Sequence, residues 1–129
     1  MGKHENAVQR ACLDLLAVAR CFAWRANSGA VKIAAPGGRS RFVSFGLPGQ
    51  PDILGVIGRG PHHGRALGVE CKAPAVKASK ATGTKGRAGG KQSDSQRTWQ
   101  HWMEDAGGVY LMVDSSEALE RELKTLGVL

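Results

Sequence analysis

The sequence predicts an α/β fold, a central mixed β-sheet flanked by α-helices, on three observations. Apolar residues at a three-to-four spacing open the chain, short apolar runs punctuated by Gly and Pro fill its middle, and a helix–strand–helix alternation closes it. The 129 residues suffice for one compact domain with one continuous core, so a single domain over 1–129 is expected.

From Glu5 to Arg20, Val8, Ala11, Cys12, Leu15, Leu16 and Ala19 recur with the period of an amphipathic helix. Cys21 to Ala30 reads as a strand, aromatic at Phe22 and Trp24, that ends in a turn at Asn27-Ser28-Gly29. A second arm follows at Arg41 to Phe45, beyond the Pro36-Gly37-Gly38 break. Gly46-Leu47-Pro48-Gly49-Gln50-Pro51 cannot continue a sheet, because its prolines lack donors and its glycines favour turns. It delivers the chain to a buried strand that Asp52 opens and that runs to Ile57. The turn-rich stretch 58–64 leads into Ala66 to Lys72, a second strand that pairs with the first as a hairpin.

Ala73 to Gly90 mixes basic residues with Ala, Gly, Ser and Thr, has no acidic residue and no apolar period, and reads as a mobile basic loop, about 73–91. Ser93 and Gln96 have capping-box spacing ahead of Trp99, Trp102, Met103 and Ala106, a helical stripe read as core and closed by Gly107-Gly108. Val109 to Val113 is a short buried strand, and Asp114 to Leu126 a last helix with Leu119, Leu123 and Leu126 on one face.

Eighteen Lys and Arg against eleven Asp and Glu give a net charge of +7 and a pI near 9.8, which favours a polyanionic partner, nucleic acid first. The three cysteines, Cys12, Cys21 and Cys71, have no CxxC spacing, so neither a disulfide framework nor a zinc ribbon is signalled. No apolar run reaches signal-peptide or membrane-span length, and a soluble cytoplasmic protein with no membrane partner is expected. His62 and His63 lack a partner at ligand spacing and read as an exposed turn.

Glu70 and Lys72 stand two apart on a strand, so both side chains leave one face while Val69 and Cys71 take the other. Burying a lone charge is costly, and the remedies are mutual pairing or a bound metal. Asp52, at the start of the neighbouring strand, supplies a second carboxylate. Two carboxylates beside a lysine suit phosphodiester hydrolysis: the acids hold a hard cation such as Mg2+, and the lysine steadies the attacking water or the phosphoryl charge. The alternative is a plain Glu70–Lys72 ion pair with Asp52 capping a turn.

The ordered series Gly46-Leu47-Pro48-Gly49-Gln50-Pro51-Asp52-Ile53-Leu54-Gly55, then Val69-Glu70-Cys71-Lys72, resembles the signature of the VRR-NUC branch of the PD-(D/E)xK nucleases. The likeness extends over most of the chain, with Glu5 similar to the family's opening glutamate, Trp24-Arg25-Ala26-Asn27-Ser28-Gly29 to its first strand, and Ser93-Asp94-Ser95-Gln96 followed by Trp99 to its glutamine-bearing helix. The valine-arginine-arginine of the family name is not reproduced around Glu70. The resemblance implies a restriction-endonuclease-like core, Asp52 and Glu70 as metal ligands with the Cys71 carbonyl as a third, Lys72 as the catalytic lysine, Gln96 lining the site and Glu5 as an auxiliary acid and possible ligand. Helical spacing also puts Glu5 on the inward face, although a first-turn acid favouring the helix dipole explains it as well. Gln96 has the capping box as its own alternative.

By the same resemblance the chain is expected to be a Mg2+-dependent endodeoxyribonuclease, with Mn2+ able to substitute. Its relatives are similar to Holliday-junction resolvases and often phage-encoded, which implies action on branched DNA in a bacterial host's cytoplasm. Paired cuts on a two-fold junction suit a homodimer. Lys77, Lys80, Lys85, Arg87 and Lys91 of the basic loop, with Arg25, Arg39 and Arg41, are the candidate phosphate contacts. Two alternatives stay open: a non-catalytic nucleic-acid-binding module, and a nuclease acting on flap, nicked or plain duplex DNA.

Overall fold

The computed structural model describes residues 3–26 and 29–129, with side chains described from Asn6 onward except at 27–31 and 43–45. Helix α1 (Lys3–Val18) leads into strand β1 (Phe22–Arg25), the pair β2 (Gly29–Ala34) and β3 (Ser40–Phe45), then β4 (Ile53–Val56) and β5 (Ala66–Cys71). Helix α2 (Asp94–Asp105), strand β6 (Val109–Val113) and helix α3 (Ser116–Thr125) complete it. The protein is α/β, as its patterning predicts: a four-stranded mixed sheet in the order β1-β4-β5-β6 with three helices. β1–β4 and β4–β5 are antiparallel, and β5–β6 is parallel because α2 carries the chain back across the sheet.

The two faces of this sheet differ in chemistry. On one, α1 and α3 pack over Leu67, Val69 and Cys71 of β5 and Val109, Leu111 and Val113 of β6, and Cys12, Leu16, Leu119 and Leu123 close a dry core. Burying a side chain of that size is worth about 1.5–3 kcal/mol, so this face carries most of the hydrophobic stabilisation. α1 ends where Arg20 takes a left-handed φ of 62° and the Cys21 N–H returns to the Leu16 carbonyl at 2.9 Å. On the other face α2 lies across β5 and β6 and has no buried residue of its own. Gly68 permits that approach, since a Cβ there would meet Pro51 Cγ at 2.8 Å and Met103 Sδ at 3.0 Å.

The capping box at Ser93 forms as its spacing predicts, with the Ser93 hydroxyl accepting from the Gln96 N–H at 3.2 Å and the Ser93 N–H donating to Gln96 Oε1 at 2.8 Å. Three expectations need correction. Of the turn expected at Asn27-Ser28-Gly29, the first two residues lie outside the described residues, and Gly29 opens β2, which runs to the expected break at Pro36 and pairs with β3 as a separate two-stranded sheet, while β1 joins the main sheet through β4. The basic loop folds back on itself through bridges between Val76 and Arg87 and between Ser79 and Thr84. Trp102 is not core: it is 62% exposed on α2. Among the described residues no helix is long and apolar enough to cross a membrane.

Candidate active site

The residues singled out for chemistry come together on the α2 side of the sheet. Glu70 sits on β5 with 4% of its surface exposed, a buried carboxylate in the sense the same-face spacing predicts. The β4–β5 register pairs Ile53 with Val69, so continuing it by one residue sets Asp52 opposite Glu70. Opposed residues of an antiparallel pair leave the same face. Asp52 lies one residue ahead of β4 rather than inside it, where its backbone carbonyl accepts from the Ala26 N–H at 2.7 Å. Its side chain turns toward β5, and Oδ2 accepts the Cys71 N–H at 2.8 Å.

Lys72 stands just past β5, held by its backbone N–H to the Val113 carbonyl at 2.8 Å. Its Nζ lies 3.7 Å from Glu70 Oε1 and donates to Gln96 Oε1 at 2.9 Å. Gln96 Nε2 in turn donates to Glu70 Oε1 at 2.9 Å. One amide thus links the acid, the lysine and the first turn of α2, since its oxygen also accepts the Ser93 N–H. The amide oxygen accepts twice and the nitrogen donates to Glu70, each in the direction its chemistry allows, which ties both charged side chains to one group. The two roles that spacing left open for Gln96, cap and site residue, are both occupied.

Cys71 places its backbone between the two carboxylates and its thiol on the opposite, dry face. That thiol is held far above the ordinary cysteine range by its hydrogen bond to Cys12, by burial, and by the nearby Asp52 and Glu70 charges. Tyr110, which sequence reading passed over as one apolar position of a buried strand, lies beside Gly68 in the parallel register and shares the site face. Burial pushes its phenol up, and the Glu70 and Asp52 carboxylates add to the shift. The missed signal was parity: Tyr110 and Met112 alternate with the core positions Val109, Leu111 and Val113.

The other candidates fall around this centre. Glu5 lies in α1, with its side chain outside the described residues. Lys77, Lys80, Lys85, Arg87 and Lys91 are all exposed on the excursion that leaves the site directly after Lys72. Arg25 and Arg41 are exposed on β1 and β3. A cleft of about 230 Å³ opens beside Lys72, lined by Ala73, Gly90, Met112 and Asp114. An apolar groove of about 350 Å³ separates Leu47 and Pro48 from Trp99 and Trp102. His62 Nδ1 lies 2.6 Å from the Arg65 guanidinium, whose Nε donates to the Gly107 carbonyl at 2.6 Å, so the histidine belongs to a structural contact at the end of α2.

Among the described residues no three His, Cys, Asp or Glu side chains gather as a metal cluster. The donor set that does exist is two opposed carboxylates with the Cys71 backbone between them, all hard oxygen donors. That set fits Mg2+, which takes one or two carboxylates and keeps several waters. No family model, curated protein or solved structure matches this chain.

Proposed function

We propose that the protein is a Mg2+-dependent endodeoxyribonuclease of VRR-NUC-like type, built on a restriction-endonuclease-like core and acting on branched DNA. The observation that carries the reading is the single-face grouping of Asp52, Glu70 and Lys72, tied together by Gln96, at the root of an acid-free basic excursion. Asp52, Glu70 and the Cys71 carbonyl are the residues that would hold the ion. The chemistry such an ion supplies when bound is Lewis-acid polarisation of the phosphodiester and a more acidic attacking water.

The chain's own residues do the rest. The Lys72 ammonium, oriented by the Gln96 oxygen, stands where it can donate to a phosphoryl oxygen or to the attacking water as negative charge builds. Glu70 Oε1 accepts from the Gln96 amide beside the Lys72 ammonium. Asp52 is pinned by the Cys71 N–H so that its remaining oxygen has a defined direction. The basic excursion supplies phosphate contacts that bind without reading sequence. A homodimer would present two such sites to the two-fold arms of a junction.

The test is cleavage of end-labelled four-way junction, flap, duplex and single-stranded DNA with Mg2+ or Mn2+, with chelator, and with Asp52→Asn. The expected result is metal-dependent, symmetric cutting of the junction that both controls abolish. A second reading, a nucleic-acid-binding module without catalysis, is favoured by the lack of a third side-chain ligand among the described residues. Retention of every substrate without cleavage under all metals would establish it in place of the nuclease.

A further inference from the structure

The β2–β3 ribbon has no part in the site, yet its composition is unusual for a strand pair outside a main sheet. A two-stranded ribbon by itself is marginally stable in water. This one hydrogen-bonds only to itself as a sheet and presents Phe42 at 73% exposure, among the most exposed large apolar side chains of the protein. Phe42 lies directly across from Lys32, so the ring and that ammonium share a face. Arg39, at the turn, and Arg41, on the opposite face of β3, are exposed too. From Leu15 to Pro51 the chain contains five basic residues and no Asp or Glu. A lone exposed apolar residue needs no explanation, but an aromatic ring with Lys32 on its own face, on a ribbon that also exposes Arg39 and Arg41 in a segment with no acid, is complementary to a polyanion that also offers flat apolar surfaces.

Nucleic acid is the polymer with both properties. Six residues at about 3.3 Å each make a ribbon roughly 20 Å long, and a two-stranded ribbon is one of the shapes a DNA groove admits. We propose that the Gly29–Phe45 ribbon is a DNA-gripping arm, in which Phe42 stacks on bases unstacked at a branch or distortion while Lys32, Arg39 and Arg41 hold the flanking phosphates. This deepens the nuclease reading and rests on it for the choice of DNA. Stacking supplies preference for an opened structure, since paired and stacked bases have no face to offer.

The experiment measures binding by the full chain, in chelator so that nothing is cut, to a fluorescein-labelled four-way junction and to matched duplex across a salt series. A second junction has 2-aminopurine at the branch point. Phe42→Ala is expected to weaken junction binding by about tenfold with little effect on duplex, and to remove the 2-aminopurine fluorescence change. Phe42→Trp is expected to restore both, which a folding defect would not allow. Arg39→Ala with Arg41→Ala is expected to lower the salt slope by about two on either substrate. Junction binding and 2-aminopurine signal unchanged in Phe42→Ala, or weakened equally on duplex, overturns the arm. Cleavage assayed in parallel separates the two ideas: an uncut junction whose binding needs Phe42 removes the nuclease and leaves the arm, whereas cutting indifferent to Phe42→Ala does the reverse.

Discussion

At the scale of single residues, the Gln96 amide is the point where helix and site depend on one another. Gln96→Ala deletes the return half of the capping box and removes the amide that donates to the buried Glu70 and accepts from Lys72. Losses of this kind cost about 1–3 kcal/mol, so urea unfolding should show a lowered midpoint with the slope unchanged, together with a large loss of any cleavage activity. Cys71 gives a prediction of different character. Its thiol is raised in the folded state, first by the Cys12 hydrogen bond, and the Tyr110 phenol is raised by burial. A group with a raised folded pKa contributes stability that is whole below its unfolded value and falls as pH rises beyond it. Cys12 is lowered by the same hydrogen bond and offsets the Cys71 contribution, so the melting temperature should decline chiefly above about pH 10, where the unfolded tyrosine ionises. All three cysteines are buried, so a thiol reagent at neutral pH should label none rapidly until denaturant is added. Glu70 and Lys72 could be placed from sequence because period-two spacing on a strand fixes a shared face. Tyr110 could not, because its face acquires meaning only once β6 is known to lie parallel to β5. Trp102 was misread for a related reason: helical spacing shows which residues share a flank but says nothing of whether another element covers it.

At the scale of elements, the loop from Gly46 to Pro51 sets how Asp52 meets the sheet. Gly49 has φ +80°, and a Cβ there would stand 2.4 Å from the Ser95 carbonyl oxygen in the first turn of α2. The side-chain hydrogen at this glycine is thus what lets the Asp52 loop and the Gln96 helix touch. Gly49→Ala meets both a backbone clash and a left-handed conformation, and a destabilisation of about 1–3 kcal/mol is expected by thermal or urea unfolding. Because the displaced loop leads to Asp52, cleavage should fall more than the loss of folded protein explains. An unchanged stability would mean that the loop does not rest on α2. Sequence patterns located the helices and the buried strands well, since each has a core face that imposes a period. They failed at β2, where a ribbon outside the main sheet has no core to impose alternation. They also missed the back-pairing of the basic excursion, whose Val76–Arg87 and Ser79–Thr84 bridges join residues with no apolar pattern.

At the scale of the whole molecule, charge is segregated along the chain in a way the net value of +7 conceals. From Cys71 to Ser93 there are six basic residues and no acid, whereas Asp94 to Leu129 holds seven of the eleven acidic residues against three basic ones. Four of those seven, Asp114, Glu117, Glu120 and Glu122, lie in or just ahead of α3, which packs on the sheet face remote from the candidate site. A polyanion is accordingly attracted to the site face and repelled from α3, which orients the protein as it approaches. Each lysine that settles on a phosphate releases about one counterion, so the contribution of the excursion can be measured as a slope and separated from that of the site. Replacing Lys77, Lys80 and Lys85 together by Ala should weaken DNA binding most at low salt and flatten the plot of log affinity against log salt by about three at most. All three side chains are exposed, so thermal stability should change little. A slope that does not move would place the DNA elsewhere on the surface, and the excursion would then be a solvated hairpin whose lysines serve solubility alone.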